Sequence, residues 1–107
     1  MNFISASLMV PLLLTMQIMA GGERQQFSRC LRSYVDTKVD ARTSNADFDS
    51  SFGTACAQQE AAYRAAYIAA ARRAGDSQAA AERDVTVEVE DLRTNFKELF
   101  HDSQPPQ

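Results

Sequence analysis

Two cysteines and an apolar leader constrain the fold of this chain more than any other feature. The leader, residues 2–20, has no charged side chain, and every charged residue follows from Glu23 onward. Its most apolar run, residues 8–14, has the length of a signal-peptide core. Cys30 and Cys56 are the only cysteines. Because disulfides form in oxidising compartments, the leader and the cysteines together predict an exported protein with a disulfide between Cys30 and Cys56.

Small residues at the end of the leader predict where it is cleaved. We expect a signal peptide over residues 1–20, with cleavage after Ala20 or after Gly22. The leader departs from the usual pattern because no Lys or Arg precedes its apolar run. The alternative is an uncleaved membrane anchor, since about 18 apolar residues are just enough to cross a bilayer. A cleaved chain is expected in the periplasm or outside the cell, and a membrane is a partner only if the leader is kept.

The remainder of the chain fits one small helical domain, residues 23–102, followed by a disordered tail, residues 103–107. The tail reads Ser-Gln-Pro-Pro-Gln, a composition that is typical of mobile termini. A domain of about 80 residues buries only a modest core, so a covalent bridge contributes much of its stability. The net charge is −3 and the basic residues are dispersed, which argues against nucleic acid as a partner.

Apolar residues recur at steps of three and four along three segments, a spacing that predicts an all-α fold. The predicted helices span residues 25–40, 55–74 and 78–100. Ser44 and Asp47 have the spacing of a capping box, so a helix can also start there. Gly75 suits the left-handed position after a helix, and Asp76 or Ser77 can cap the helix that follows.

The third predicted helix has the clearest apolar seam and one competing interpretation. Its seam has a four-three-four-three spacing and consists of Val85, Val89, Leu92, Phe96 and Leu99. Residues 85–90 also alternate between apolar and polar side chains, as in a strand. We favour the helix because the seam continues to Leu99 and no partner strand is predicted elsewhere.

The two cysteines predict how the first two helices are arranged. We expect a three-helix body in which these helices form an antiparallel hairpin stapled by the disulfide. If the chain reverses at Thr43, Cys30 and Cys56 each lie thirteen residues from the turn and are at the same height. If the second helix begins only near Thr54, the arms are unequal and the intervening segment must run back along the first helix.

No group of residues predicts a catalytic, cofactor or metal site. The chain has one histidine, His101, and only four glycines, so neither a Ser/His/Asp set nor a phosphate loop is present. With two cysteines already paired, His101 does not complete a zinc site. Asp84, Glu88 and Asp91 share one helix face, which we interpret as a solvated surface, with a divalent-metal site as the alternative. Three tyrosines at helical spacing predict packing before ligand binding: Tyr34, Tyr63 and Tyr67.

Two short segments resemble a known group of proteins. Arg29-Cys-Leu31 in the first helix and Ala55-Cys-Ala-Gln-Gln-Glu60 in the second resemble, in spacing and composition, the small alanine-rich exported helical proteins of Gram-negative bacteria. The resemblance covers residues 27–74 and implies export and a helical fold, but no activity, because those proteins are largely uncharacterised. The size, leader and single disulfide are also similar to periplasmic acid-stress chaperones, which have a longer cysteine spacing and a tryptophan beside the first cysteine.

The expected function is a non-enzymatic binding or structural role in the cell envelope. The expected partner is an unidentified protein or a second copy of the chain, and no cofactor is expected. One alternative is a chaperone-like stress protein of the periplasm. A less favoured alternative is a small metal-assisted enzyme that uses the acidic face of the third helix.

Overall fold

The computed structural model describes the backbone of residues 3–105 and the side chains of residues 22–105. Within that part of the chain, all regular structure is helical and no strand is present. The four helices are α1 (Phe3–Asp40), α2 (Asn45–Phe52), α3 (Ala57–Arg73) and α4 (Gln78–Asp102). The all-α prediction is therefore confirmed, and residues 85–90 belong to a helix.

The predicted leader falls on residues whose side chains are not described, and the predicted tail is described as far as residue 105. The backbone of residues 3–20 belongs to α1, but the signal peptide and its cleavage after Ala20 or Gly22 stay predictions. Across the part of the chain that the structure describes, no helix is long and apolar enough to cross a membrane. In the tail, Ser103 and Gln104 donate backbone hydrogen bonds to the last turn of α4. Residues 106–107 lie outside the described residues, and disorder of the tail stays a prediction.

The long helices run up, down and up. Phe27 of α1 contacts Tyr63 of α3, with 6.2 Å between ring centroids, and Cys30, later in α1, is bonded to Cys56, the residue before α3. Residue numbers therefore rise along α1 as they fall along its neighbour, so α1 and α3 are antiparallel. On the other side, Arg64 of α3 donates to Thr86 of α4 at 3.0 Å. This hairpin-plus-helix arrangement is the predicted three-helix body, with α2 as an added short helix.

Local signals in the sequence fix three of the helix boundaries. The Ser44 hydroxyl accepts a hydrogen bond from the Asp47 backbone amide at 3.1 Å, as the capping-box spacing predicts. Ser77 caps α4 in the same way, accepting from the Ala80 amide at 3.1 Å. Gly75 has a φ of +101° and ends α3, which confirms the predicted left-handed stop.

The connection between the cysteines follows the second of the two predicted geometries. α2 ends at Phe52, four residues in turns follow, and α3 begins only at Ala57. The equal-arm hairpin is therefore wrong. From Thr43 the chain must descend about 20 Å to reach the level of Cys30, and the eight residues of α2 supply about 12 Å of that descent. Poor helix formers after Phe48, including Gly53, explain why α2 stops before α3.

The core is a ladder of aromatic and aliphatic side chains along the axis of the bundle. Phe48 of α2 stacks on Phe100 of α4, with 3.8 Å between ring centroids, and on Phe52 at 4.8 Å. The predicted seam of α4 is confirmed as far as Phe96 but is wrong at Leu99. Leu99 is 39 % exposed, whereas Phe100 is fully buried. The buried apolar residues are Phe27, Leu31, Val35, Phe48, Phe52, Tyr63, Ala81, Val85, Val89, Leu92, Phe96 and Phe100.

Candidate functional site

The structure brings Cys30 and Cys56 to disulfide-bonding distance. Their Cα atoms are 6.0 Å apart, within the range that a disulfide spans without moving the backbone. Cys30 lies in the middle of α1, and Cys56 is the residue before α3. Cys56 has a φ of 61°, a left-handed conformation that costs a residue with a side chain about 1–2 kcal/mol. The disulfide is therefore attached to a strained turn at the start of α3.

A shallow surface groove of about 510 Å³ runs beside the disulfide. Its walls include Tyr34 and Lys38 of α1, and the Lys38 Nζ atom lies 5.3 Å from the centroid of the Tyr34 ring. The Tyr34 hydroxyl is hydrogen-bonded to the Ser51 hydroxyl of α2. These polar groups thus tie α1 to α2, which confirms that Tyr34 packs between elements. Tyr63 is buried and Tyr67 is half-buried, so the three tyrosines are packing residues.

Arg93 of α4 donates three hydrogen bonds to other parts of the chain. Its Nη1 donates to the Phe52 carbonyl at 2.9 Å, and its Nη2 donates to the Ala55 carbonyl at 2.8 Å. Phe52 is the last residue of α2, and its carbonyl also accepts from the Ala55 amide at 3.1 Å, whereas Ala55 lies in the turns before α3. The guanidinium carbon also lies 5.2 Å from the centroid of the Phe27 ring. One side chain of α4 therefore contacts α1 and satisfies the end of α2.

Glu60 completes this cluster from the first turn of α3. Its Oε1 accepts from Arg93 Nε at 2.9 Å, and its Oε2 accepts from Arg64 Nε at 3.0 Å. Burial by itself raises the pKa of Glu60, but hydrogen bonds from Arg93 and Arg64 and their charges outweigh burial. They hold the pKa of this carboxyl below its usual range. Glu60 and Arg64, four residues apart on α3, form an ion pair, and Arg64 also donates to Thr86 of α4.

His101, in the last turn of α4, belongs to a second and more exposed cluster. Its Nε2 is 2.8 Å from Asp49 Oδ1 of α2. Lys97 Nζ is 4.0 Å from the same carboxylate oxygen. All three side chains are at least a third exposed, so these ion pairs add little stability. His101 therefore bridges α4 and α2.

The acidic residues of α4 lie at the surface, as predicted. Asp84 and Asp91 are exposed and Glu88 is half-buried. Partial removal from water raises the pKa of the Tyr67 hydroxyl, and the negative charges of Asp84 and then Glu88 raise it further. Over the described residues, no group of three His, Cys, Asp or Glu side chains is arranged to hold a metal ion.

The role of Arg93 is what sequence reasoning misses. Its position next to Leu92 and four residues after Val89 puts it at the border of the apolar seam, where an arginine with a buried stem is unusual. That border position is the one signal in the sequence. Two of its acceptors are the backbone carbonyls of Phe52 and Ala55, about forty residues away, and no pattern of side chains predicts contacts to a backbone.

Comparisons with models of protein families, with curated proteins and with solved structures find no match to this chain. The described geometry defines a class instead: a small all-α protein with one disulfide and an arginine-centred junction of helices.

Proposed function

We propose that this chain is exported and acts as a non-enzymatic binding or structural protein of the cell envelope, in the periplasm or outside the cell. The observation that carries the proposal is the approach of Cys30 to Cys56 at the junction of α1 and α3. A bridge that joins the only two cysteines is stable in an oxidising compartment and is reduced in the cytoplasm. The apolar leader supplies the route to such a compartment.

The polar clusters support a scaffold role. Arg93 uses its guanidinium nitrogens on two carbonyls and one carboxylate, and Glu60 uses both oxygens on arginines. Groups committed in this way hold helices together and have few donors or acceptors left for a substrate. The strongest electrostatic arrangement in the described part of the chain thus serves packing, which favours binding through surfaces over chemistry in a cleft.

Site-specific crosslinking tests the binding role. A photo-crosslinking residue is placed singly at Ser33, Ala65 and Val87, which are exposed positions on α1, α3 and α4. The full chain is expressed with its leader, and the envelope fraction is irradiated. We expect at least one position to give an adduct of defined mass. The absence of an adduct at all three positions would contradict the proposed role. Circular dichroism checks that each variant is folded, and where a variant is not, the crosslinking residue is moved to a neighbouring exposed position.

A further inference from the structure

α3 contributes fewer buried side chains to the core than its length suggests. Tyr63 is the one buried residue among its 17, whereas α4 buries six of its 25 residues and α2 buries two of its eight. Tyr67 and Ile68 are half-buried, and eight of the 17 residues are alanines, whose methyl groups bury little area each. The apolar packing of α3 therefore stabilises its position less than the packing of α4 does.

The start of α3 also lacks the local signal that begins α2 and α4. Ser44 and Ser77 cap those two helices with their side chains, but Cys56, the residue before α3, makes no capping hydrogen bond. Its backbone is left-handed, with a φ of 61°, which is uncommon for a residue with a side chain. An uncapped first turn leaves backbone amides without acceptors. The start of α3 therefore depends on contacts with other parts of the chain.

Two sets of contacts hold that start: the bonds of Arg93 and the disulfide. Arg93 donates to the Ala55 carbonyl and to the carboxylate of Glu60, whose side chain is 24 % exposed. Water can replace hydrogen bonds at a partly exposed carboxylate, so they add less than buried ones. The disulfide is covalent and joins Cys56 to the middle of α1. When it is open, one buried side chain and partly exposed polar bonds remain to hold α3.

We propose that the disulfide is a redox switch for the docking of α3: in the reduced chain α3 detaches from the core while α1, α2 and α4 stay packed. Every buried residue except Tyr63 belongs to those three helices, so most of the core persists without α3. Detachment uncovers Phe27, whose ring packs on Tyr63.

The switch closes by thiol–disulfide exchange. A disulfide of another molecule takes two electrons and two protons from the thiols of Cys30 and Cys56 and becomes two thiols, and the bond between the two Sγ atoms forms. The inference rests on the proposed export, because an exported chain meets an oxidising compartment only after it has left the cytoplasm. α3 is then docked firmly in the exported protein and loosely before export.

Hydrogen exchange of the bridged and the reduced protein tests this proposal. The chain has no other cysteine, so a reductant acts on this bridge alone. A detached helix of 17 residues is marginal in water, so its amides exchange. In the bridged protein we expect the protection factors of α3 and α4 to agree within about tenfold, and in the reduced protein we expect α3 to be at least about a hundredfold less protected than α4. An equal loss in both helices overturns the proposal, and so does protection of α3 that reduction leaves unchanged.

Two double variants complete the test. Cys30→Ala/Cys56→Ala removes the bridge without a reductant and is expected to show the same selective loss of protection in α3. Ser33→Ala/Thr54→Ala is the matched control, because both residues are exposed, lie within three residues of a cysteine and leave the bridge in place. It is expected to leave the protection of α3 unchanged, and equal effects of the two variants overturn the switch. A chain recovered from its native compartment with its leader intact contradicts the proposed export, whereas hydrogen exchange of the purified protein decides the switch alone.

Discussion

Arg93 acts through the planar fork of its guanidinium. Three nitrogens donate in fixed directions to the Glu60 carboxylate and to the carbonyls of Phe52 and Ala55. A lysine at this position has a single nitrogen and does not reach all three acceptors. The side chain is only 14 % exposed, so water does not replace its hydrogen bonds when it is lost. The residue therefore fixes the short turn between α2 and α3 on which the position of Cys56 depends.

Replacing Arg93 tests this role directly. Arg93→Met keeps the apolar stem but removes the donor to Glu60 Oε1, the side-chain donor to the Ala55 carbonyl and one of the two donors to the Phe52 carbonyl, so we expect a loss of about 2–4 kcal/mol in the free energy of unfolding. Urea denaturation followed by circular dichroism measures it. Arg83→Met, at an exposed position, is the control and should stay within about 0.5 kcal/mol of the parent. Equal effects of the two variants would show that Arg93 is a surface residue.

Glu60 links stability to pH. Its pKa is lowered in the folded chain, so its carboxylate adds stability above the pKa of the unfolded chain and that contribution is lost as the pH falls through the folded pKa. We expect the parent protein to lose more stability than Glu60→Gln between about pH 5 and pH 3. Urea midpoints over this range are the measurement, and Glu90→Gln at an exposed position is the control. Parallel profiles for all three proteins would rule out the linkage.

At the scale of the helix, α4 shows why a seam must be followed residue by residue. The pattern from Val85 to Phe96 takes steps of four, three and four, and another step of three leads to Leu99. The structure takes a step of four instead and buries Phe100, because Phe48 of α2 lies above that position and stacks on its ring. The contact comes from α2, and the sequence of α4 does not encode where α2 packs against it.

The two neighbouring residues give a matched pair of variants. Phe100→Ala removes a fully buried ring and is expected to cost about 3–5 kcal/mol, whereas Leu99→Ala is expected to cost less than about 1 kcal/mol. Thermal or urea unfolding of both variants distinguishes them. A larger loss for Leu99→Ala than for Phe100→Ala would contradict the observed packing.

The disulfide junction makes two separable contributions. The bridge closes a loop of 26 residues, so Cys30→Ala/Cys56→Ala is expected to lose roughly 3.5 kcal/mol in the chain-entropy model. Cys56 also has a positive φ, which glycine adopts without strain. We therefore expect Cys30→Ala/Cys56→Gly to be about 1 kcal/mol more stable than the double-alanine variant. The reverse order in urea unfolding would show that the left-handed turn forms only because of the bridge.

The sequence predicts the elements of this fold better than the contacts between them. The boundaries at Ser44, Gly75 and Ser77 are local, because each depends on one side chain or one backbone angle, and all three are confirmed. The disulfide partners follow from there being only two cysteines. The break between α2 and α3 and the bonds of Arg93 depend on distant backbone atoms, which a pattern of side chains does not encode.

At the scale of the whole molecule, α1 contains both the predicted leader and the part of the helix that packs in the bundle. α1 begins at Phe3 in the full-length chain, and the proposed cleavage would shorten this helix. The disulfide lies above the predicted cleavage points, so the link between α1 and α3 is kept in the processed chain.

The central claim is that the chain is an exported scaffold whose two cysteines form a bridge. The intact mass of the protein, recovered from its native compartment with free thiols blocked during lysis, tests this claim most directly. We expect a chain that has lost residues 1–20 or 1–22, is lighter than its reduced form by two hydrogen atoms and has no blocked thiol. A full-length chain with both cysteines blocked would contradict the account.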